Sequence, residues 1–174
     1  MGVTLVNSGV IVVRLSRGNV FYFDGNTCMY MDVATPIVCT KTFWLLTKTN
    51  GGYHSNVFST SNNPIWFDTT ISLRTSVNFN TGSTNIVSTI SQKSTDNWKF
   101  YAITMTATKT SLYVDGVLNN EANVNWAGDP ARIYFGAYLN AAKYTGWMDD
   151  IRLYPINLTS TEIQQLYINT KGNY

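Results

Sequence analysis

"NWKFYAITMTATKTSLYVDGVL", residues 97–118, decides the fold. It reads as a strand opened by a tryptophan, a short polar turn, a second apolar run and then Asp-Gly. Asp115 and Gly116 stand between "LYV" and "VLN", the two-residue signal of a tight hairpin whose central positions need positive φ. Glycine adopts that conformation freely and aspartate better than most residues. Asp115 is therefore expected to turn the chain at a solvent-exposed tip and to do no chemistry.

Outward from this hairpin, similar strand-like runs recur at short intervals. "GVIVVRL", "NVFYF", "TCMYMDV", "TKTFWLLTK", "NVFST", "TNIVSTISQ", "ARIYFGAYL" and "TGWMDDIRLYP" are each bounded by Gly, Asn, Ser or Pro. With little helical periodicity elsewhere, ten or more strands suit a two-sheet sandwich or jelly roll. One helix signal closes the chain. In "NLTSTEIQQLYINT", Thr159 and Glu162 are the two ends of a capping box, and Leu158 with Ile163 forms a hydrophobic staple. Glu162 is thereby assigned to a helix end, not to catalysis.

The composition agrees. Of 174 residues, 13% are charged, and 55 are Thr, Asn or Ser, so the surface meets water through hydroxyls and amides. Net charge is +2 with no basic cluster, which argues against nucleic-acid binding. No apolar run approaches membrane-spanning length, and the first residues lack the order of a signal peptide. Cys28 and Cys39 are expected to be free thiols, at least one of them buried.

Four stretches together resemble the laminin-G-like branch of the concanavalin A-like lectin and glucanase jelly rolls. They are "FYFDGNTCMYM" (21–31), "FWLLTK" (43–48), residues 97–118, and "IYFGAYLNAAKYTGWMDDIRLYPINLTSTEIQQLY" (133–167). The resemblance covers roughly residues 19–168, dense in the C-terminal half. It implies an all-β, two-sheet antiparallel jelly-roll sandwich with one short C-terminal helix. Residues 1–18 precede its usual start as an extension or edge strand, and 19–174 form the domain.

The fold hosts enzymes and lectins alike, so the site is argued separately. The superfamily's glucanases resemble a Glu-x-Asp-x-x-Glu pattern, which this chain lacks, and its two glutamates do not pair. His54 is the sole histidine, so His-rich zinc chemistry is excluded. Phosphate-loop and nucleophile-elbow motifs are absent. The chain is read as non-catalytic.

Two binding classes follow. Calcium, taken up by carboxylates and carbonyls, has Asp24 and Asp149 as candidate ligands. Strict alternation in "GWMDDIRLY" places Asp149 with Trp147, Ile151 and Leu153, pointing inward, where it is expected either to accept backbone N–H bonds from the "FDGN" loop as a structural aspartate or to help hold the ion. Sugar recognition joins aromatic rings to polar groups on loops, with Tyr53, His54, Trp126, Tyr138, Asn140 and Tyr144 as candidates. The expected role is an exposed recognition or decoration module at a virion or extracellular surface. Such a capsid, tail or fibre part would bind assembly proteins or further copies of itself, and a glycan or host-surface receptor. The alternative is a calcium-assisted lectin domain of a cellular or secreted protein.

Overall fold

The computed structural model describes residues 3–6, 10–13, 20–26, 28–47, 55–60, 65–67, 72–79, 82–91, 97–123, 128, 132–137 and 144–174. For 3–6, 10–13, 55, 65–67, 72–79 and 82–91 it describes the course of the backbone and its pairing. Among these residues, fourteen strands form two antiparallel sheets, followed by one helix.

The strands are β1 (Val3–Val6), β2 (Val10–Val13), β3 (Phe21–Asp24), β4 (Met29–Met31), β5 (Cys39–Thr47), β6 (Ser55–Ser59) and β7 (Ile65–Phe67). They continue with β8 (Ser72–Phe79), β9 (Gly82–Ser91), β10 (Lys99–Met105), β11 (Lys109–Val114), β12 (Val117–Asn123), β13 (Ile133–Phe135) and β14 (Thr145–Tyr154). Helix α1 (Ser160–Thr170) leads into a 3-10 turn, Lys171–Asn173. The larger sheet runs β1-β2-β14-β5-β10-β11-β12, with β3 also on β14, and the smaller runs β4-β13-β6-β7-β8-β9. This is the expected jelly-roll sandwich, and β1 and β2 continue the larger sheet beyond β14.

The alternation of β5, β10 and β11 explains why "FWLL", "KFYAI" and "SLYV" are apolar on both faces. Phe43, Leu45, Tyr101, Ile103, Leu112 and Val114 point between the sheets, against Val57, Phe58, Ile133 and Phe135. The intervening Trp44, Phe100, Ala102 and Tyr113 point the other way, into a second core with Leu158 and Ile163 at the start of α1. The central strands of the larger sheet are thus sandwiched between a sheet and a helix. Each large side chain so buried stabilises the fold by about 1.5–3 kcal/mol.

The helix starts as its sequence directs. Thr159 Oγ1 accepts from Glu162 N at 3.3 Å, and Glu162 Oε2 accepts from Thr159 N at 2.7 Å. The backbone hydrogen bond from Thr159 holds the Glu162 carboxyl below its usual range. The Asp-Gly hairpin also forms, with φ of 50° at Asp115 and 80° at Gly116. Its tip is not bare, however. Gly116 is buried under α1, and a Cβ there would lie 3.1 Å from Tyr167 Cβ. Asp115 Oδ2 meets Lys99 Nζ at 2.5 Å, and Oδ1 accepts from Phe100 N at 3.1 Å. The helix, remote in sequence, comes back over the turn.

Candidate functional site

The sequence "FYFD" in β3 alternates strictly. Phe21 and Phe23 enter the core, while Tyr22 and Asp24 face outward. β14 does the same alongside it: Met148 enters the core and Trp147 faces out. Tyr22 lies directly opposite Trp147, and Trp147 lies opposite Leu46 of β5. The Tyr22 and Trp147 rings are 5.1 Å apart and tilted by 42°, with Tyr22 49% exposed. Tyr22, Trp147 and Leu46 therefore form one apolar platform across three strands on the outer face of the larger sheet.

Polar groups stand at both ends of the platform. Asp24 and Thr145 are paired at one end. There Asp24 Oδ1 accepts from Asn26 N at 2.7 Å, and Gly25 turns the chain at φ 83°. Glycine suits this left-handed conformation, and a Cβ there would sit 2.7 Å from Thr145 Oγ1. Asp149 marks the other end, two residues beyond Trp147.

The structure corrects the inward reading of Asp149. Asp149 pairs with Trp44, but the next partner pair is Arg152 with Thr42. Asp150 and Ile151 thus share the space opposite Phe43, which is a β-bulge. Asp150 takes φ 47°, and the bulge shifts the alternation by one residue. Asp149 stays on the outer face with Trp147, while Ile151 and Leu153 point into the core. The buried carboxylate is Asp150, 2% exposed, which accepts from Arg152 Nε at 2.8 Å and Nη2 at 2.7 Å. Burial alone would lower the Arg152 pKa, but Asp150 and Tyr154 together more than offset it and hold the guanidinium charged.

Asp24 and Asp149 do not assemble into one cation site. Asp24 sits opposite Thr145, four residues before Asp149, so the two backbones are about 13 Å apart along the sheet. Among the described residues, no three His, Cys, Asp or Glu side chains group to hold a metal. Cys28 and Cys39 are free thiols, with Cys39 buried. Burial pushes the Cys39 thiol up, although Lys41 opposes the shift.

Beyond Asp149 the outer face is covered. Tyr174, after the 3-10 turn, stacks on Trp44 at 4.3 Å and 22° and lies 5.0 Å from the Trp98 ring. Its hydroxyl donates to Asp149 Oδ2 at 2.6 Å.

Of the loop candidates, Tyr144 is placed and corrected. It is fully buried, its ring edge-on to Phe23 at 6.2 Å. Its hydroxyl donates to Leu46 O at 3.2 Å, and burial raises its pKa well above the ordinary phenol value. It closes the core beneath the platform and offers nothing to a ligand. Tyr53, His54, Trp126, Tyr138 and Asn140 lie outside the described residues. Tyr22 and Trp147 were missed by sequence reasoning. Their signal was present in "FYFD" and "GWMD", where one aromatic residue alternates with core positions. A smaller exposed group lies on the other sheet, where Arg132 covers the Tyr30 ring at 3.9 Å and is paired with Asp32.

Chemically, the platform suits a ligand with apolar C–H faces and peripheral hydroxyls or amides. Rings take the faces, and carboxylates accept from the polar rim. A family model described as the concanavalin A-like lectin/glucanases superfamily matches residues 33–164. No curated protein sequence matches. Among solved structures, the fold is similar to the binding domain of Paraclostridial Mosquitocidal Protein 1 (TM-score 0.70, 14% identity, 94% of this chain and 46% of that one). It is likewise similar to the receptor-binding domain of botulinum neurotoxin C/D mosaic serotype (TM-score 0.73, 15% identity, 91% and 44%). A third is the botulinum neurotoxin serotype D ligand-binding domain in complex with N-acetylneuraminic acid (TM-score 0.72, 14% identity, 94% and 47%). The chain spans less than half the length of each, and at these identities the likeness is one of fold.

Proposed function

We propose that this chain, which belongs to the concanavalin A-like lectin/glucanases superfamily, is a non-catalytic module that recognises carbohydrate on the Tyr22–Trp147 face. One observation carries the reading: two adjacent aromatic rings stand outward on neighbouring strands, with carboxylates at both ends of the platform. An aromatic ring in the open costs burial energy that a ligand's apolar face recovers. The toxin domain crystallised with N-acetylneuraminic acid supports a glycan as the general class.

The spacing of the carboxylates favours binding over hydrolysis. A glycosidase places two carboxyl groups across one scissile bond, whereas Asp24 and Asp149 stand four residues apart along the sheet, about 13 Å between backbones, and each accepts from a separate protein donor. The same carboxylates favour neutral or amino sugars over acidic ones, because like charges at a partly desolvated site repel. A glycan array carrying neutral and sialylated structures tests both points. Retention of neutral glycans is expected; silence across the array, or binding confined to sialylated glycans, contradicts the reading.

A second reading, a component packed into a virus particle or fibre, has one observation in its favour. Among the described residues, β1 is the last strand of the larger sheet, so one side of its backbone is an edge to which a further strand could add. A concentration-dependent multimer in native mass spectrometry is its expected signature, and a monomer at all concentrations counts against it. Either role places the module at an extracellular or particle surface.

A further inference from the structure

We infer that the carbohydrate face extends past Asp149 into a second subsite, formed by Trp44, Trp98 and Asp149, and that Tyr174 occupies it as an internal substitute for a sugar ring. The inference rests on the reading of the Tyr22–Trp147 face as a carbohydrate site.

The platform and the covered region belong to one surface. Trp147 lies opposite Leu46, and Trp44 is two residues from Leu46 on the same strand and the same face. Such diagonal neighbours are about 7–8 Å apart, so one oligosaccharide can touch both indoles. Asp149 sits between them, directly opposite Trp44.

Tyr174 makes the contacts expected of a bound sugar. Its ring lies nearly parallel to the Trp44 indole, 22° off plane at 4.3 Å. Its hydroxyl gives Asp149 Oδ2 a short 2.6 Å hydrogen bond, as a sugar hydroxyl or acetamide N–H would. Trp44 does not depend on Tyr174 for its position. Its indole Nε1 donates to Thr170 Oγ1 at 3.1 Å, and Phe100 and Tyr167 pack against it at 5.5 Å and 5.9 Å. Trp44 belongs to the core under α1 and is 3% exposed with Tyr174 in place, and Tyr174 is the ring stacked closest on it, so displacing Tyr174 is what would give a ligand access to the indole.

The segment carrying Tyr174 is suited to displacement. Lys171, Gly172 and Asn173 are exposed, and the backbone bond from Tyr174 N to Lys171 O is long at 3.3 Å. Ligands that reach only the Tyr22–Trp147 subsite should ignore Tyr174. Longer ligands must displace it, and their apparent affinity falls by the fraction of molecules in which the subsite is closed.

The test uses N-acetylglucosamine and its β1,4-linked tetramer, which offer apolar ring faces and acetamide donors. Calorimetric titration compares the wild-type chain with Tyr174→Ala, Tyr174→Phe and Trp147→Ala. Tyr174→Ala is expected to bind the tetramer about tenfold more tightly than wild type and the monomer equally. Tyr174→Phe, which keeps the stack and loses the hydroxyl, should show a smaller gain for the tetramer. Equal tetramer affinity in wild type and Tyr174→Ala overturns the inference, as does no tetramer binding by either. A lowered melting temperature without a gain in affinity makes Tyr174 a packing residue only. If Trp147→Ala binds as wild type does, the platform reading itself fails; if only the Tyr174 effect is missing, the platform stands and the second subsite falls.

Discussion

Asp150 and Arg152, two residues apart in β14, are joined by a pair of hydrogen bonds of 2.8 Å and 2.7 Å beside the bulge that leaves Asp149 on the outer face. Among the described residues, the bulge also falls between the two strands that flank β14 on the side away from β5. β3 pairs with residues 145–148 and β2 with 151–153. The buried ion pair therefore stands where β14 changes neighbours and where one end of the candidate face is set.

Removing the buried carboxylate should be costly. Asp150→Ala leaves the Arg152 guanidinium without its bidentate partner and places a non-glycine residue without a polar side chain at φ 47°. A loss of about 3–5 kcal/mol is expected in urea unfolding. A loss below about 1 kcal/mol would show that the pair does not hold the bulge.

The covered hairpin makes Gly116 the less replaceable half of the turn. Gly116→Ala must hold φ near 80° and bring a methyl to 3.1 Å from Tyr167 Cβ. The expected cost is about 1–2 kcal/mol. Asp115→Asn keeps a residue tolerant of that backbone and removes the charge facing Lys99. It should cost less, and the reverse order of midpoints would contradict the packing of α1 on the turn.

The capping box gives a pH dependence of defined sign. The folded-state pKa of Glu162 lies below its unfolded value because its carboxylate accepts from the Thr159 backbone. Its stabilising contribution is full above about pH 4.3 and is lost as the pH falls through the lowered folded-state value. The difference in melting temperature between wild type and Glu162→Gln should be present at neutral pH and shrink with acidification. A difference that grows on acidification would have the wrong sign.

Calcium should leave the melting temperature unchanged, as should a chelator. Asp24 and Asp149 sit at opposite ends of the platform, and each already has a protein donor, Asn26 N and Tyr174 Oη. A cation bound by the folded state must raise the melting temperature, so a clear rise would show that the chain holds a calcium site.

What was legible in the sequence was local. Asp115-Gly116 specified a turn through its own backbone preferences, and Thr159 with Glu162 specified a helix start through two reciprocal hydrogen bonds. The strands were legible because apolar residues fill both faces of β5, β10 and β11. The family pattern supplied the sandwich. What failed was set from a distance. One bulge residue, Asp150, reversed the alternation that had sent Asp149 inward. Tyr144 looked like a loop aromatic, and its burial depends on Phe23 and on the Leu46 carbonyl and Thr47 hydroxyl of β5, nearly a hundred residues away. Tyr174 carried no local signal, since its partners Trp44, Trp98 and Asp149 meet only after β5, β14 and α1 are assembled.

The central claim is that carbohydrate binds on the Tyr22–Trp147 face, and titration of the array's best neutral glycan into wild type and Trp147→Ala tests it most directly. The account predicts a loss of affinity of about tenfold or more, ~1.4 kcal/mol, measured below the variant's own melting transition because Trp147 is half-buried and packs on Tyr22. Unchanged affinity in Trp147→Ala would contradict it.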